Sequence, residues 1–178
     1  VSKLVVGVGD CRVTGEPGDE LVTYALGSCI AVVIWDPVAL VGGLLHFMLP
    51  DSSLDRVNNG RDYPYRYADT GVPLLFQEAY RMGADKKRLV VRLAGGAAVV
   101  ADNGVFSIGR RNYAAVRRVL WKAGVMVHAE DVGGTFSRTV RLEVESGRML
   151  ARAHGGAEQE LAGRTTVERI GGEKCQSA

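Results

Sequence analysis

Apolar and polar positions change their period along this chain, and the changes mark out strands and helices. Leu4-Val5-Val6-Gly7-Val8 is apolar and β-branched and predicts a first strand, taken to carry Cys11 as well, with turn chemistry at Gly15-Glu16-Pro17-Gly18. Ile30-Ala31-Val32-Val33-Ile34-Trp35 is an unbroken apolar run ending at Asp36-Pro37. Such a run fits a strand buried on both faces. Residues 41–49 predict the next strand. With a turn through Asp36-Pro37 the two strands pair antiparallel.

Residues 51–65 are polar, contain Asn58-Asn59-Gly60 and Tyr63-Pro64, and read as a long loop. Asp69 or Thr70 then reads as the cap of a helix with Pro73 in its first turn. Val72, Leu75, Phe76, Ala79 and Met82 recur at helical spacing, and Gly83 stops the run. Residues 89–93 predict a strand that breaks at Gly95-Gly96. A second helix is predicted over 109–123, with Val116, Val119, Leu120 and Ala123 on one face and Gly124 as its stop. Residues 125–132, with His128 in mid-strand, then 139–144 and 149–153, read as strands, the last two joined at Ser146-Gly147. Strands outnumber helices, and both helices need a sheet to cover. The pattern implies an α/β (α+β) sandwich of mixed β-sheets covered by helices. Residues 1–161 read as one domain and 162–178 as a polar C-terminal tail.

Composition narrows the picture. The 178 residues suit one substantial core, and 47% hydrophobic against 24% charged residues suits a globular chain. A formal net charge of +2 gives no reason to expect nucleic acid as a partner. No run reaches the apolar length of a membrane span and no signal peptide opens the chain, so a cytoplasmic protein without membrane insertion is expected. Cys11, Cys29 and Cys175 are odd in number and contain no Cys-x-x-Cys, which argues against a disulfide framework. His46, His128 and His154 make no ligand pattern with them, so no structural zinc is expected.

The candidate chemistry is Cys29, in Leu26-Gly27-Ser28-Cys29-Ile30, with His46 after Gly42-Gly43-Leu44-Leu45. A thiol is a useful nucleophile as its thiolate, and a nearby imidazole can take its proton. Gly27 is expected to adopt a backbone conformation closed to other residues, turning amide N–H groups beside the sulfur toward a tetrahedral oxyanion. Taken alone, a single cysteine and histidine also read as ordinary core residues. Ser28 lacks an acidic-histidine pair and a G-x-S-x-G elbow. Gly42-Gly43, Gly95-Gly96 and Gly133-Gly134 form no phosphate-binding fingerprint and read as turns or close backbone approaches. Arg110, Arg111, Arg117, Arg118 and Lys122 read as the solvated face of the second helix, with an acidic-partner surface as the alternative.

Five motifs stand in order along the chain: Thr23-Tyr24-Ala25-Leu26-Gly27-Ser28-Cys29, Gly43-Leu44-Leu45-His46-Phe47-Met48-Leu49-Pro50, Tyr67-Ala68-Asp69-Thr70, Phe106-Ser107-Ile108-Gly109-Arg110-Arg111-Asn112 and Glu130-Asp131-Val132-Gly133-Gly134. Together they resemble the chemoreceptor glutamine deamidase family, CheD. The resemblance implies a sandwich fold related to cysteine-dependent deamidating toxins. It implies a protein-glutamine deamidase acting on chemoreceptor cytoplasmic domains, with Cys29 as nucleophile, His46 as base and Thr23 as third member. Gly27 and Ser28 would support the oxyanion loop. No metal or organic cofactor is implied. Many members also bind a CheC-type phosphatase, for which Phe106 and Ile108 are the candidate contacts. A binding module that regulates such a phosphatase is the alternative function, and the groups alone would equally suit a protease. The chain departs from the family pattern at Thr135-Phe136-Ser137.

Overall fold

The computed structural model describes residues 2–58, 60–98 and 107–162. Asn59, Phe106, Cys175 and most of the expected tail lie outside them. Among the described residues ten strands form two mixed sheets of five. The first sheet runs in the order β1 (Lys3–Val5), β3 (Glu20–Leu26), β8 (Arg138–Glu143), β9 (Met149–Ala153), β10 (Glu158–Glu160). The second is β2 (Asp10–Thr14), β5 (Val41–Phe47), β4 (Ile30–Asp36), β6 (Val90–Gly95), β7 (Ala129–Val132). Helices α1 (Ala68–Arg81) and α2 (Ile108–Lys122) cover one face of the second sheet, and the first sheet covers the other. The molecule is therefore a helix, sheet, sheet sandwich, an α+β fold. The helices cover only one sheet; the outer face of the other meets solvent, as the alternating burial along β8 requires.

Strand β4 shows why its sequence is unbroken by polar residues. Ile30, Val32 and Ile34 pack into the core beneath the helices, while Ala31 and Val33 pack between the sheets. Its partner β5 is equally buried, with Leu45 and Phe47 toward the helices and Leu44 toward the first sheet. Gly42 and Gly43 sit inside β5 rather than in a turn. A Cβ on Gly42 would come within 3.0 Å of Leu142 and Val144, and one on Gly43 within 2.9 Å of Leu75.

The β4–β5 turn is fixed by Asp36, which is fully buried. Its carboxylate accepts from the N–H groups of Val38, Ala39 and Asp85 and from the Arg88 guanidinium. Burial alone would raise its pKa, but Arg88 and these N–H groups outweigh burial and lower it to about 2.

Some elements differ from expectation. Of the first apolar run only Leu4 and Val5 lie in a strand, β1, and Cys11 lies on a separate strand, β2. Helix α1 begins at Ala68 without a side-chain cap. Asp69 instead accepts from the N–H and hydroxyl of Ser52, bracing the polar loop, and Pro73 falls beyond the first turn. That loop contains two short 3-10 turns, Ser52–Leu54 and Pro64–Arg66. Strand β7 begins only at Ala129; His128 precedes it, exchanging hydrogen bonds with the backbone of Val91 through its N–H and Nδ1. Among the described residues no helix is long and apolar enough to cross a membrane.

Candidate active site

The β4–β5 register aligns the two candidate groups. Ile30 pairs with Phe47 and Ala31 with His46, so Cys29 lies one step past the end of the ladder. Side chains two apart on a strand share a face. Cys29 thus shares the inter-sheet face with Ala31 and, diagonally, with His46; its side chain packs against the inter-sheet core. Diagonal neighbours on an antiparallel pair have Cα atoms about 7–8 Å apart, within reach of a histidine.

Thr23 arrives from the other sheet. It is fully buried on β3, and its Oγ1 lies 2.8 Å from Nδ1 of His46. The same hydroxyl donates to the carbonyl of Val6 at 2.7 Å. A hydroxyl has one proton, so with that proton on Val6 the oxygen can only accept from His46. Nδ1 therefore carries the ring proton, and Nε2 carries the free lone pair. Nε2 is buried and makes no hydrogen bond. His46 itself is 1% exposed, and this desolvation lowers its pKa to about 4.

Cys29 is half-buried, and burial raises its thiol, partly opposed by its own backbone N–H. Both shifts favour the neutral forms, opposite to the ion pair expected of an activated cysteine. No hydrogen bond joins Sγ to Nε2 here, and such contacts commonly tighten only when substrate is bound.

Backbone geometry shapes the loop around Cys29. A bulge follows Thr23, where Tyr24 and Ala25 together face Thr139. Bulges re-aim a strand, and this one lies just before the Gly27–Cys29 loop that crosses to the second sheet. The left-handed residue is Ala25, at φ 53°, and not Gly27. The permissive glycines lie instead on β6 and just beyond it. Gly95 and Gly96 have φ of 110° and 64°, and a Cβ on Gly95 would stand 2.2 Å from the Cys29 carbonyl. That closeness lets Gly96 N–H donate to Cys29 O at 2.8 Å and Ala97 N–H to Gly27 O at 2.9 Å. Asn112 of α2 donates to Ser28 O at 3.0 Å. All three carbonyls of the Gly27–Ser28–Cys29 loop are thus taken up from the protein side, while among the described residues no oxygen accepts from the N–H groups of Ser28 and Cys29. Gly133-Gly134 closes the same end through Gly133 N–H to Gly95 O and Ala98 N–H to Gly134 O.

The remaining candidates lie elsewhere. Ile108 is half-buried at the start of α2, and its proposed companion Phe106 is outside the described residues. Cys11 packs on the helix side of the second sheet, with its thiol pushed up to about 12, first by burial. Asn112 was not among the residues singled out by sequence. Its signal was nonetheless present, since Asn112, Val116 and Leu120 share the buried face of α2 at helical spacing.

The fold and this end of it define a two-sheet α+β protein with a hydroxyl–imidazole pair joining the sheets and a half-buried thiol on the same inter-sheet face. A family model described as CheD chemotactic sensory transduction matches residues 48–153, a span that starts just after His46. A "Probable chemoreceptor glutamine deamidase CheD" from Solibacter usitatus is 51% identical, covering 87% of this chain and 91% of that one. A "Probable chemoreceptor glutamine deamidase CheD 2" from Anaeromyxobacter dehalogenans is 52% identical, covering 86% and 96%. The "Chemoreceptor glutamine deamidase CheD" of Thermotoga maritima is 44% identical, covering 88% and 96%. The chain belongs to the CheD family.

Proposed function

We propose that this protein is a glutamine deamidase of chemoreceptor cytoplasmic domains, with Cys29 as nucleophile, His46 as general base and acid, and Thr23 as the residue that orients His46. The observation that carries the reading is the relay from the Val6 carbonyl through the Thr23 hydroxyl to His46 Nδ1. It leaves Nε2 as an unpartnered base on the face shared with Cys29. The relatives' names supply the substrate class.

The chemistry follows from these groups. Nε2 takes the Cys29 proton as Sγ adds to the carboxamide carbon of a glutamine. The carboxamide oxygen becomes negative and is held by the N–H of Cys29, with that of Ser28 beside it. The imidazolium returns its proton to the nitrogen, the C–N bond breaks, and ammonia leaves. The resulting thioester is attacked by water, which gives its proton to Nε2, and glutamate and the free thiol are regenerated. Each proton taken by Nε2 is handed back within the cycle, so neither metal nor organic cofactor is needed. The reading also makes the fold a relative of cysteine-dependent deamidating toxins, and it extends to a CheC-type phosphatase partner contacted through Phe106 and Ile108.

Incubation of purified receptor cytoplasmic fragments with the protein should convert particular glutamines to glutamate, each with a mass gain of about one dalton and one ammonia released. Peptide-bond cleavage, or unchanged fragments, would remove the deamidase reading.

The depressed imidazole sets a pH dependence. His46 titrates at about 4 when folded against 6.5 ordinarily. Between these values the unfolded chain binds a proton that the folded chain refuses, so its contribution to stability is full above 6.5 and is lost as pH falls through about 4. The neutral base persists over the same window. The acid limb of deamidation should therefore lie near 4, and His46→Gln should flatten the melting temperature across the window. An acid limb near 6.5 would show that His46 is solvated in the working enzyme.

A further inference from the structure

Asn112 is fully buried on α2, and both protons of its amide are in use. Nδ2 donates to the Ser28 carbonyl at 3.0 Å and to the Met48 carbonyl at 2.9 Å. Two carbonyl acceptors fix which end of the amide is nitrogen. The other end, Oδ1, is buried without a hydrogen-bond partner, so the residue satisfies two backbone groups and leaves one of its own unmet.

The two carbonyls are specific in their location. Ser28 immediately precedes Cys29, and Met48 lies just past the strand that carries His46. The β4–β5 ladder ends at Ile30 and Phe47, so Asn112 bridges the segments next to the two strands where their own pairing stops. Close packing makes this possible: a Cβ on Gly109 would lie 2.6 Å from the Gly96 carbonyl, and the first turns of α2 could not otherwise approach.

A trans peptide points its C=O and N–H in opposite directions, and no cis bond occurs among the described residues. The Ser28 carbonyl is held toward α2, so the N–H of Cys29 is turned the other way. We infer that Asn112 is a positioning residue for the deamidation: by gripping the Ser28 carbonyl it aims the Cys29 N–H at the oxygen that turns negative when Sγ adds to a glutamine carboxamide. This rests on Cys29 being the nucleophile.

Two reactions of the same sulfur separate this role from a structural one. Alkylation by iodoacetamide displaces iodide from a saturated carbon and develops no oxyanion, whereas deamidation does. Loss of one oxyanion donor costs on the order of a hundredfold to a thousandfold in kcat. Asn112→Ala removes the amide, and Asn112→Asp keeps its shape but cannot supply two donors. For both variants, kcat for ammonia release from a purified chemoreceptor cytoplasmic fragment should fall about a hundredfold. KM and the rate constant for Cys29 alkylation should each stay within about threefold of the unaltered protein. Both rates are referred to the folded fraction from near-ultraviolet circular dichroism, so partial unfolding cancels in their ratio. Equal losses in the two reactions, unchanged deamidation, or a change confined to KM would overturn the inference. Deamidation by the unaltered protein, abolished in Cys29→Ala, keeps the parent reading standing when only the Asn112 inference fails. An inactive unaltered protein, or an active Cys29→Ala, removes both.

Discussion

Cys29→Ala is expected to lose deamidation by about a thousandfold or more, while Cys11→Ala keeps it nearly intact. Groups that act as a unit lose most of their effect when the nucleophile is removed. Cys29 ends a loop whose three carbonyls are all held from the protein side, and His46 lies on the same face of the sheet. Cys11 lies on the opposite face of the same sheet, and its thiol is pushed up to about 12, beyond the range in which it could compete. Cys29→Ser should also be inactive. A hydroxyl is a far weaker acid than a thiol, and an imidazole whose pKa is lowered to about 4 is a poor base for it. Ammonia release and peptide mass spectrometry measure all three variants. Substantial glutamate formation by Cys29→Ala would reject Cys29 as the nucleophile.

The sequence was most informative where burial leaves a pattern. The apolar run 30–35, closed by Asp36-Pro37, predicted a doubly buried strand and an antiparallel partner, and β4 and β5 pair in that way. Once that pairing is given, the shared face of Cys29 and His46 follows from counting residues. Helix stops were equally legible: Gly83 and Gly124 both take positive φ just past α1 and α2. The start of α1 was not, because Asp69 found a tertiary partner in Ser52 instead of capping its own helix. Propensity marks a residue as able to cap but cannot say what else will compete for it.

The site was legible only in part, because its members come from different layers. Nothing local ties Thr23 to His46; they meet because the two sheets stack, and only resemblance to a family suggested the pair. Glycine's tolerance of strained backbone points to Gly27, yet the left-handed residue is Ala25 in a β-bulge. Bulges arise from register between strands distant in sequence, here β3 and β8, and no composition rule announces them. The charge state was also out of reach. A cysteine near a histidine suggests an ion pair, whereas burial of both drives each toward its neutral form.

That neutral state makes the tautomer of His46 decisive, and Thr23→Val is the substitution that tests it. Valine keeps the branched shape in a fully buried position but removes the hydroxyl. Nδ1 of His46 and the carbonyl of Val6 then both lose their partner. The proton is no longer tied to Nδ1, and the tautomer protonated at Nε2 cannot accept a proton from the thiol. Turnover should fall on the order of a hundredfold, within the range that a positioned base contributes. Alkylation of Cys29 at high pH should fall much less, because the thiol then ionises without help. Thr23→Ser returns the hydroxyl and should recover most of the turnover. Nitrogen NMR of the His46 ring reads the tautomer directly, expected at Nδ1 in the unaltered protein and divided between the two nitrogens in Thr23→Val. Equal loss of turnover and alkylation in Thr23→Val, or no recovery in Thr23→Ser, would mean that Thr23 supports the fold and does not orient the base.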